Sequence, residues 1–247
     1  MTETVLIFGA SGNVGVAAII GALRTKRNVL AVVRSQASAE KIFKYVGSKD
    51  GITTVIADVS SEEAVRGVVD QVRAGKLPSF QHVWASPGGA YWDTSILDLE
   101  IAALREIMIG NFETYVIAYR ATVPYLLEQG FPSSTWTMCT GAQGDIAQRV
   151  APAVTQGALF SFATAAARQT EKTNVRFNEV YLAYRVQFEV EGGSQQFRGF
   201  HITTSSDFAP LYEKLLERKD IKGSRLKVLK PQDVTELKFK RKFQDEE

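Results

Sequence analysis

A single cysteine, Cys139, excludes an internal disulfide framework and fits a reducing compartment. The only two histidines, His82 and His201, have no metal-ligating neighbours at a usable spacing, so no metal site is expected. An excess of either charge is missing as well: 29 basic and 27 acidic residues leave a net charge of +2. Such a balance argues against a dedicated nucleic-acid surface. No apolar run reaches the roughly 18–20 residues of a bilayer span, and the first apolar segment begins too early to leave room for a signal peptide. These absences predict a cytoplasmic protein without membrane or nucleic-acid partners. What the chain has in quantity is apolar surface, with 45% hydrophobic residues over 247 positions, enough for the core of one domain.

The apolar segments alternate in type. Thr4–Gly9, Asn28–Val33, Ile52–Asp58, Gln81–Ser86, Ser134–Thr140, Val175–Ala183 and Arg225–Leu229 read as strands, several of them near-continuous Val- and Ile-rich runs of the kind buried on both faces of a parallel sheet. Between them, Val14–Arg24, Ala37–Val46, Ser61–Arg73, Leu97–Met108, Asn111–Gln129, Pro152–Lys172 and Ser206–Arg218 read as helices. Strand–helix alternation with right-handed crossovers predicts an α/β, doubly wound parallel sheet of about seven strands in a single domain spanning 1–247. Two segments depart from the rhythm. Residues 184–200, centred on Gly192-Gly193, are too polar for core and sit where either a substrate lid or a plain surface hairpin would grow. Residues 230–247 form a basic tail with interleaved aromatics, read as a solvated or partly packed C-terminal strand.

The first strand runs into Gly9-Ala10-Ser11-Gly12-Asn13-Val14-Gly15 and then into a helix. That order brings backbone N–H groups and the positive end of a helix up to a phosphate, and glycine permits the close approach. The second strand ends in Arg34-Ser35 with no acid. A carboxylate there would bond a ribose 2′-hydroxyl and repel a 2′-phosphate, whereas Arg and Ser favour the phosphate, so NADP(H) is the expected cofactor. Asp58-Val59 at the end of the third strand suits an adenine contact.

These residues resemble the short-chain dehydrogenase/reductase family over about Val5 to Leu229. Ser86-Pro87-Gly88-Gly89 lies where that family has an Asn-Asn-Ala-Gly turn. Asn111 and the later Pro124 match its central helix, and Thr155-Gln156-Gly157-Ala158-Leu159 resembles the Ser-Lys-Ala-Ala-Leu of its long helix. The resemblance implies cofactor contacts from Gly9, Ser11, Gly12, Asn13, Val14, Gly15, Ser86, Pro87, Gly88, Asn111 and Gln156. It also implies a catalytic Tyr-x-x-x-Lys, which is absent: the alignment puts Pro152 at the tyrosine and Gln156 at the lysine. With Asn178 in register, the Pro-Gly that flanks the nicotinamide becomes Leu182-Ala183, while a hydroxyl near the serine position survives as Thr140, expected to face the pocket.

The losses fall at the nicotinamide end. Ketone reduction makes an alkoxide that needs a proton, and general acid catalysis contributes about 10²–10⁴-fold. Iminium reduction needs no such proton, because hydride addition neutralises the cation, and a pocket carboxylate would stabilise that cation. Asp145 and Asp93 are the candidates, each of which could instead cap its loop. Tyr91, Trp92 and the 181–188 stretch either stack on a flat, aromatic or cationic small-molecule substrate or pack as core. The pattern is similar to the degenerate dehydrogenase homologues of fungal alkaloid pathways, which couple iminium reduction to ring closure. The alternative is a cofactor-binding sensor or subunit without turnover. The helices 111–129 and 152–172, the usual contact faces of the resembled family, imply a homo-oligomer.

Overall fold

The computed structural model describes residues 2–89, 94–189, 196–197 and 200–243. Its main sheet is built from β1 (Thr4–Phe8), β2 (Asn28–Val33), β3 (Ile52–Ile56), β4 (His82–Ala85), β5 (Thr135–Gly141) and β6 (Arg176–Leu182). A small sheet follows, with β7 (Arg185–Gln187), β8 (Gln196–Phe197) and β9 (Phe200–Thr204), and then β10 (Ser224–Val228) and β11 (Phe239–Arg241) return to the main sheet. The helices are α1 (Asn13–Arg24), α2 (Gln36–Val46), α3 (Glu62–Arg73), α4 (Ile101–Met108), α5 (Thr114–Gln129), α6 (Gln143–Ile146), α7 (Val150–Gln169), α8 (Ser205–Glu217) and α9 (Asp233–Glu236). Strand order is β11-β10-β6-β5-β4-β1-β2-β3, parallel except for β11. The chain winds outward in both directions from β1, which opens a crevice at the carboxyl edge between β1 and β4.

Seven parallel strands occur as the alternation predicts, and the antiparallel β11 makes an eighth. Part of the basic tail therefore becomes a sheet edge. The helices 97–108 and 111–129 merge: α4 starts only at Ile101 and continues through a π turn, Ile109–Glu113, into α5. The Asn111 position interrupts the hydrogen-bond ladder without ending the helix.

Period-2 alternation divides the core. Val5 and Ile7 join α1 and α8 on one face of the sheet, while Leu6 and Phe8 join α3, α5 and α7 on the other. Every residue of β1 is buried, as a strand covered on both faces requires. By length and composition α7 is apolar enough to cross a bilayer, contrary to the sequence expectation, because Thr155 and Gln156 interrupt the run only weakly. Its Ala151, Thr155, Leu159, Ala163 and Ala167 stripe is buried, so here it acts as a core helix.

At the opposite, amino edge of the sheet, Glu3 accepts from Arg27 Nε at 2.6 Å and lies 3.0 Å from His82 Nε2. Burial lowers the His82 pKa, so the ring is neutral, its Nε2–H donating to Glu3 and its Nδ1 accepting from the Thr135 hydroxyl at 3.1 Å. The His82 hydrogen bond, ahead of Arg27, pulls Glu3 down to about 2. Because the folded pKa lies below the unfolded one, Glu3 stabilises fully above about pH 4.5 and loses that contribution as pH falls towards 2. Glu3→Gln should therefore flatten the loss of stability across that window, read as urea midpoints against pH. An unchanged slope would show that another group carries the acid sensitivity.

Candidate dinucleotide cleft

The turn after β1 is tight enough to require glycine. Gly9 has φ +73°, and a Cβ there would lie 2.3 Å from the Ser86 carbonyl oxygen; one on Gly15 would lie 2.1 Å from the Gly9 oxygen. Gly9, Gly15 and the end of β4 are thus in backbone contact, and no larger residue fits without moving the strands. Gly12 N–H donates to Gly9 O at 3.0 Å and Gly12 caps α1 without a side chain. The first turn of α1 carries no acid, so its free N–H groups and positive end face the crevice uncompensated. Ser11 is half-buried on this turn, and Val14 packs inward on the core.

Asn13 behaves differently from a free ligand contact. Its Nδ2 donates to Val186 O at 2.9 Å, and its carbonyl accepts from Ser205 Oγ at 2.8 Å. The chain after β6 therefore straps over the start of α1, and Phe188 stacks on Tyr45 of α2 with ring centroids 4.0 Å apart. These residues begin the 184–200 segment, which the sequence leaves open as a lid or a surface hairpin. Residues 190–195 and 198–199 lie outside the described residues.

At the end of β2, Arg34 is exposed and has no hydrogen bond or ion pair among the described residues. Ser35 caps α2, its Oγ accepting from Ser38 N at 3.3 Å, so a helix N-terminus stands beside the Arg34 guanidinium. Both favour an anion. Asp58 is exposed and closes its own turn, with Oδ1 accepting from Ser60 N at 2.9 Å and Ser60 Oγ at 2.7 Å; these bonds lower its pKa and leave Oδ2 open. Val59 packs beside it, half-buried. On the far wall, Ser86 accepts from Trp84 Nε1 at 3.0 Å, Pro87 is buried and Gly88 is exposed. Gly89 N–H donates to Asn111 Oδ1 at 3.1 Å, so the π turn holds this wall in place.

The nicotinamide end departs from expectation. Thr140 is 2% exposed, and its hydroxyl donates to Glu179 Oε1 at 2.8 Å. It points under α7 and not into the cleft, because β-strand alternation puts it on the face of Trp136 and Met138. The reading of Thr140 as a pocket hydroxyl is thereby overturned. Gln156 Oε1 accepts from Gly141 N–H at 2.6 Å; a backbone N–H is met only by the oxygen, which fixes the amide orientation and leaves Nε2 as a neutral donor. Pro152 sits in the first turn of α7, where a missing N–H costs nothing. Asp145 is exposed on α6, close to Tyr181; burial first, then this carboxylate, raises the Tyr181 phenol to about 12. Asp93, with Tyr91 and Trp92, lies outside the described residues. No group of three or more metal-ligating side chains occurs among the described residues.

Sequence reasoning passed over Glu179, fully buried in β6. Arg225 Nε donates to it at 2.9 Å, and Lys242, from the end of the described chain, forms a second ion pair with it. A charged residue inside a strand buried on both faces is the available signal, since such a charge has to be paired.

The arrangement fits a dinucleotide: a glycine turn that a Cβ would fill, a helix start without a side-chain cap, and an exposed cation, Arg34, at the end of β2. The family model described as short chain dehydrogenase matches residues 3–187. A curated relative, the short-chain dehydrogenase/reductase iacG of Pestalotiopsis fici (strain W106-1 / CGMCC3.15140), is 48% identical over 242 residues, covering 98% of this chain and 97% of its own. Among solved structures, ElxO with NADP bound superposes with a TM-score of 0.80 at 15% identity, covering 92% of this chain and 97% of ElxO. NAD⁺-bound xylitol dehydrogenase does so at 0.76 and 16%, with the same coverage. At these identities the structural likeness shows the fold.

Asn111→Ala should remove the bond to the exposed Gly89 N–H and cost about 0.5–1.5 kcal/mol, since water can take over that donor. Urea unfolding would measure the loss, and cofactor titration should show weaker binding through the loosened wall. Unaltered values in both would separate Asn111 from the cleft.

Proposed function

The chain belongs to the short-chain dehydrogenase/reductase family, and from that premise we propose that it binds NADP(H) and acts on a cationic or aromatic small molecule without the Tyr-Lys dyad. Iminium reduction, alone or coupled to cyclisation, is the reaction class. The observation that carries this reading is Gln156: its oxygen is held by Gly141, so a neutral –NH₂ stands where the family's lysine would be. Such a group bonds a ribose hydroxyl but supplies no charge to depress a neighbouring pKa. Pro152, at the tyrosine position, has no proton to give. NADP(H) supplies the hydride when bound. The protein's own part is to hold the pyrophosphate on the Gly9–Gly15 turn and the 2′-phosphate on Arg34, and to orient the ribose with Gln156.

Asp145 is the carboxylate assigned to the substrate cation, from its exposed place on the turn after β5. Its nearness to Tyr181 adds an aromatic face to that side of the cleft. A cofactor-binding subunit without turnover is the second reading, favoured by the burial of Thr140, which leaves the end of β5 without a hydroxyl for a substrate oxygen. Self-association is assigned to α5 and α7, whose Leu127 and Val154 are large apolar residues left exposed.

Three measurements test these assignments. Arg34→Ala should weaken NADPH about tenfold while sparing NADH, as loss of one charge-assisted contact predicts; equal effects remove Arg34 from the phosphate site. NADPH oxidation should proceed with iminium compounds and not with simple ketones, and should be lost in Asp145→Asn. Ketone turnover would overturn the assignment, and silence of an NADPH-binding protein across the panel would favour the subunit reading.

A further inference from the structure

Behind the cleft, on the far side of α7, a groove of about 590 Å³ runs between that helix and the β10–β11 ribbon. Its floor is Phe160, and its ribbon side carries Arg225, Lys227, Lys240 and Lys242. Arg225 and Lys240 are directly opposed across the antiparallel pair. Like charges in that position repel, with Cβ atoms about 5 Å apart. Lys227 follows Arg225 on the same face by strand alternation. The carboxylates here are already committed. Glu179 is fully buried against Thr140, Arg225 and Lys242, and Glu171 pairs with Arg241 at 2.7 Å.

The cations are left over in a usable geometry. Lys227 and Lys240 are exposed and have no side-chain hydrogen bond or ion pair among the described residues. Arg225 is held by its Nε bond to Glu179 and lies over the Phe160 ring, 4.1 Å from the centroid. Its two terminal nitrogens have no protein partner among the described residues. A guanidinium fixed by its Nε and by a ring face, with its outer fork open, is prepared to grip two oxygens of one anion. Flanking lysines add point charges that suit a dianion better than a carboxylate.

We propose that this groove binds the phosphate or pyrophosphate group of a small molecule, at a site separate from the dinucleotide cleft. The anion would rest on the Arg225 fork between Lys227 and Lys240 and relieve the repulsion stored across the ribbon. Arg225 also bonds Glu179, and Glu179 bonds Thr140 at the end of β5, so occupancy is linked to the strand that carries Gly141, whose N–H donates to Gln156 of α7.

Inorganic pyrophosphate titrated into the full chain by calorimetry, at constant ionic strength, tests this. The glycine turn is a second anion site, so the decisive readout is the difference between variants. Lys227→Met/Lys240→Met should lose a binding event that the wild type shows, about a hundredfold in affinity at roughly tenfold per cation. It should leave NADPH titration unchanged, because neither residue touches that cleft. A control with the exposed pair Lys44→Met/Lys49→Met should bind pyrophosphate like the wild type. Three results would overturn the proposal. One is equal pyrophosphate affinity with and without Lys227 and Lys240. Another is an equal effect from matched chloride, which would mean screening alone. The third is binding seen only after Asp245→Asn/Glu246→Gln/Glu247→Gln, which would make the chain's own acids the occupant.

Discussion

One buried carboxylate governs how this fold is finished. Glu179 has no exposed surface, and an isolated charge in such a place is untenable. It is neutralised from three directions: the Thr140 hydroxyl from β5, Arg225 from β10, and Lys242 just beyond β11. The last partner explains why a strongly basic segment returns to the sheet. Lys242 is itself almost wholly buried, and burial lowers its pKa despite Glu179, so it is retained by pairing. Removing one member of such a pair costs about 3–5 kcal/mol, because the other is stranded. The same demand draws Thr140 beneath α7, which takes the only hydroxyl at the end of β5 out of the cleft.

The cofactor half of the cleft obeys a different constraint, steric and local. Gly9, Gly15 and Ser86 meet at distances that a Cβ would violate, so the turn exists only with glycine and its geometry is fixed by β1 and β4. Asn111 extends that rigidity across the crevice by holding Gly89. A phosphate bound at this turn would therefore rest on backbone placed by two strands buried along their whole length. The chemical half depends on side chains at strand and helix ends, and these can change while the cradle stays intact.

That asymmetry explains what was legible in the sequence. The seven parallel strands were, because β1, β2 and β4 are near-continuous apolar runs of the kind double-sided burial requires, and the others alternate with helical patterns. The glycine turn was, because its geometry admits few residues. The tail was legible as a C-terminal strand, but the place of β11 in the main sheet was not: Phe239-Lys240-Arg241 is an exposed edge with little apolar signal to show what it pairs with. The α4–α5 boundary was misplaced because a π turn leaves the helical periodicity nearly unbroken. Thr140 was placed on the right strand and the wrong face, although the alternation of Trp136, Met138 and Thr140 against Cys139 held the answer. Glu179 carried the clearest unread signal, a lone acid inside Val175–Ala183.

The two halves together constrain the chemistry. A hydride donor on the glycine turn would face a cleft end where Pro152 offers no proton, Thr140 is turned away and Gln156 presents a neutral amide. An alkoxide formed there would have no charge-assisted donor from these three positions, at a cost in rate of the order general acids contribute, about 10²–10⁴-fold. A cationic acceptor reverses the demand, since its charge disappears as hydride arrives and the need moves to the ground state, where a carboxylate such as Asp145 is useful. The substitutions that read as losses for ketone reduction are on this argument neutral for iminium reduction, which is why an intact cofactor cradle is compatible with the altered cleft end.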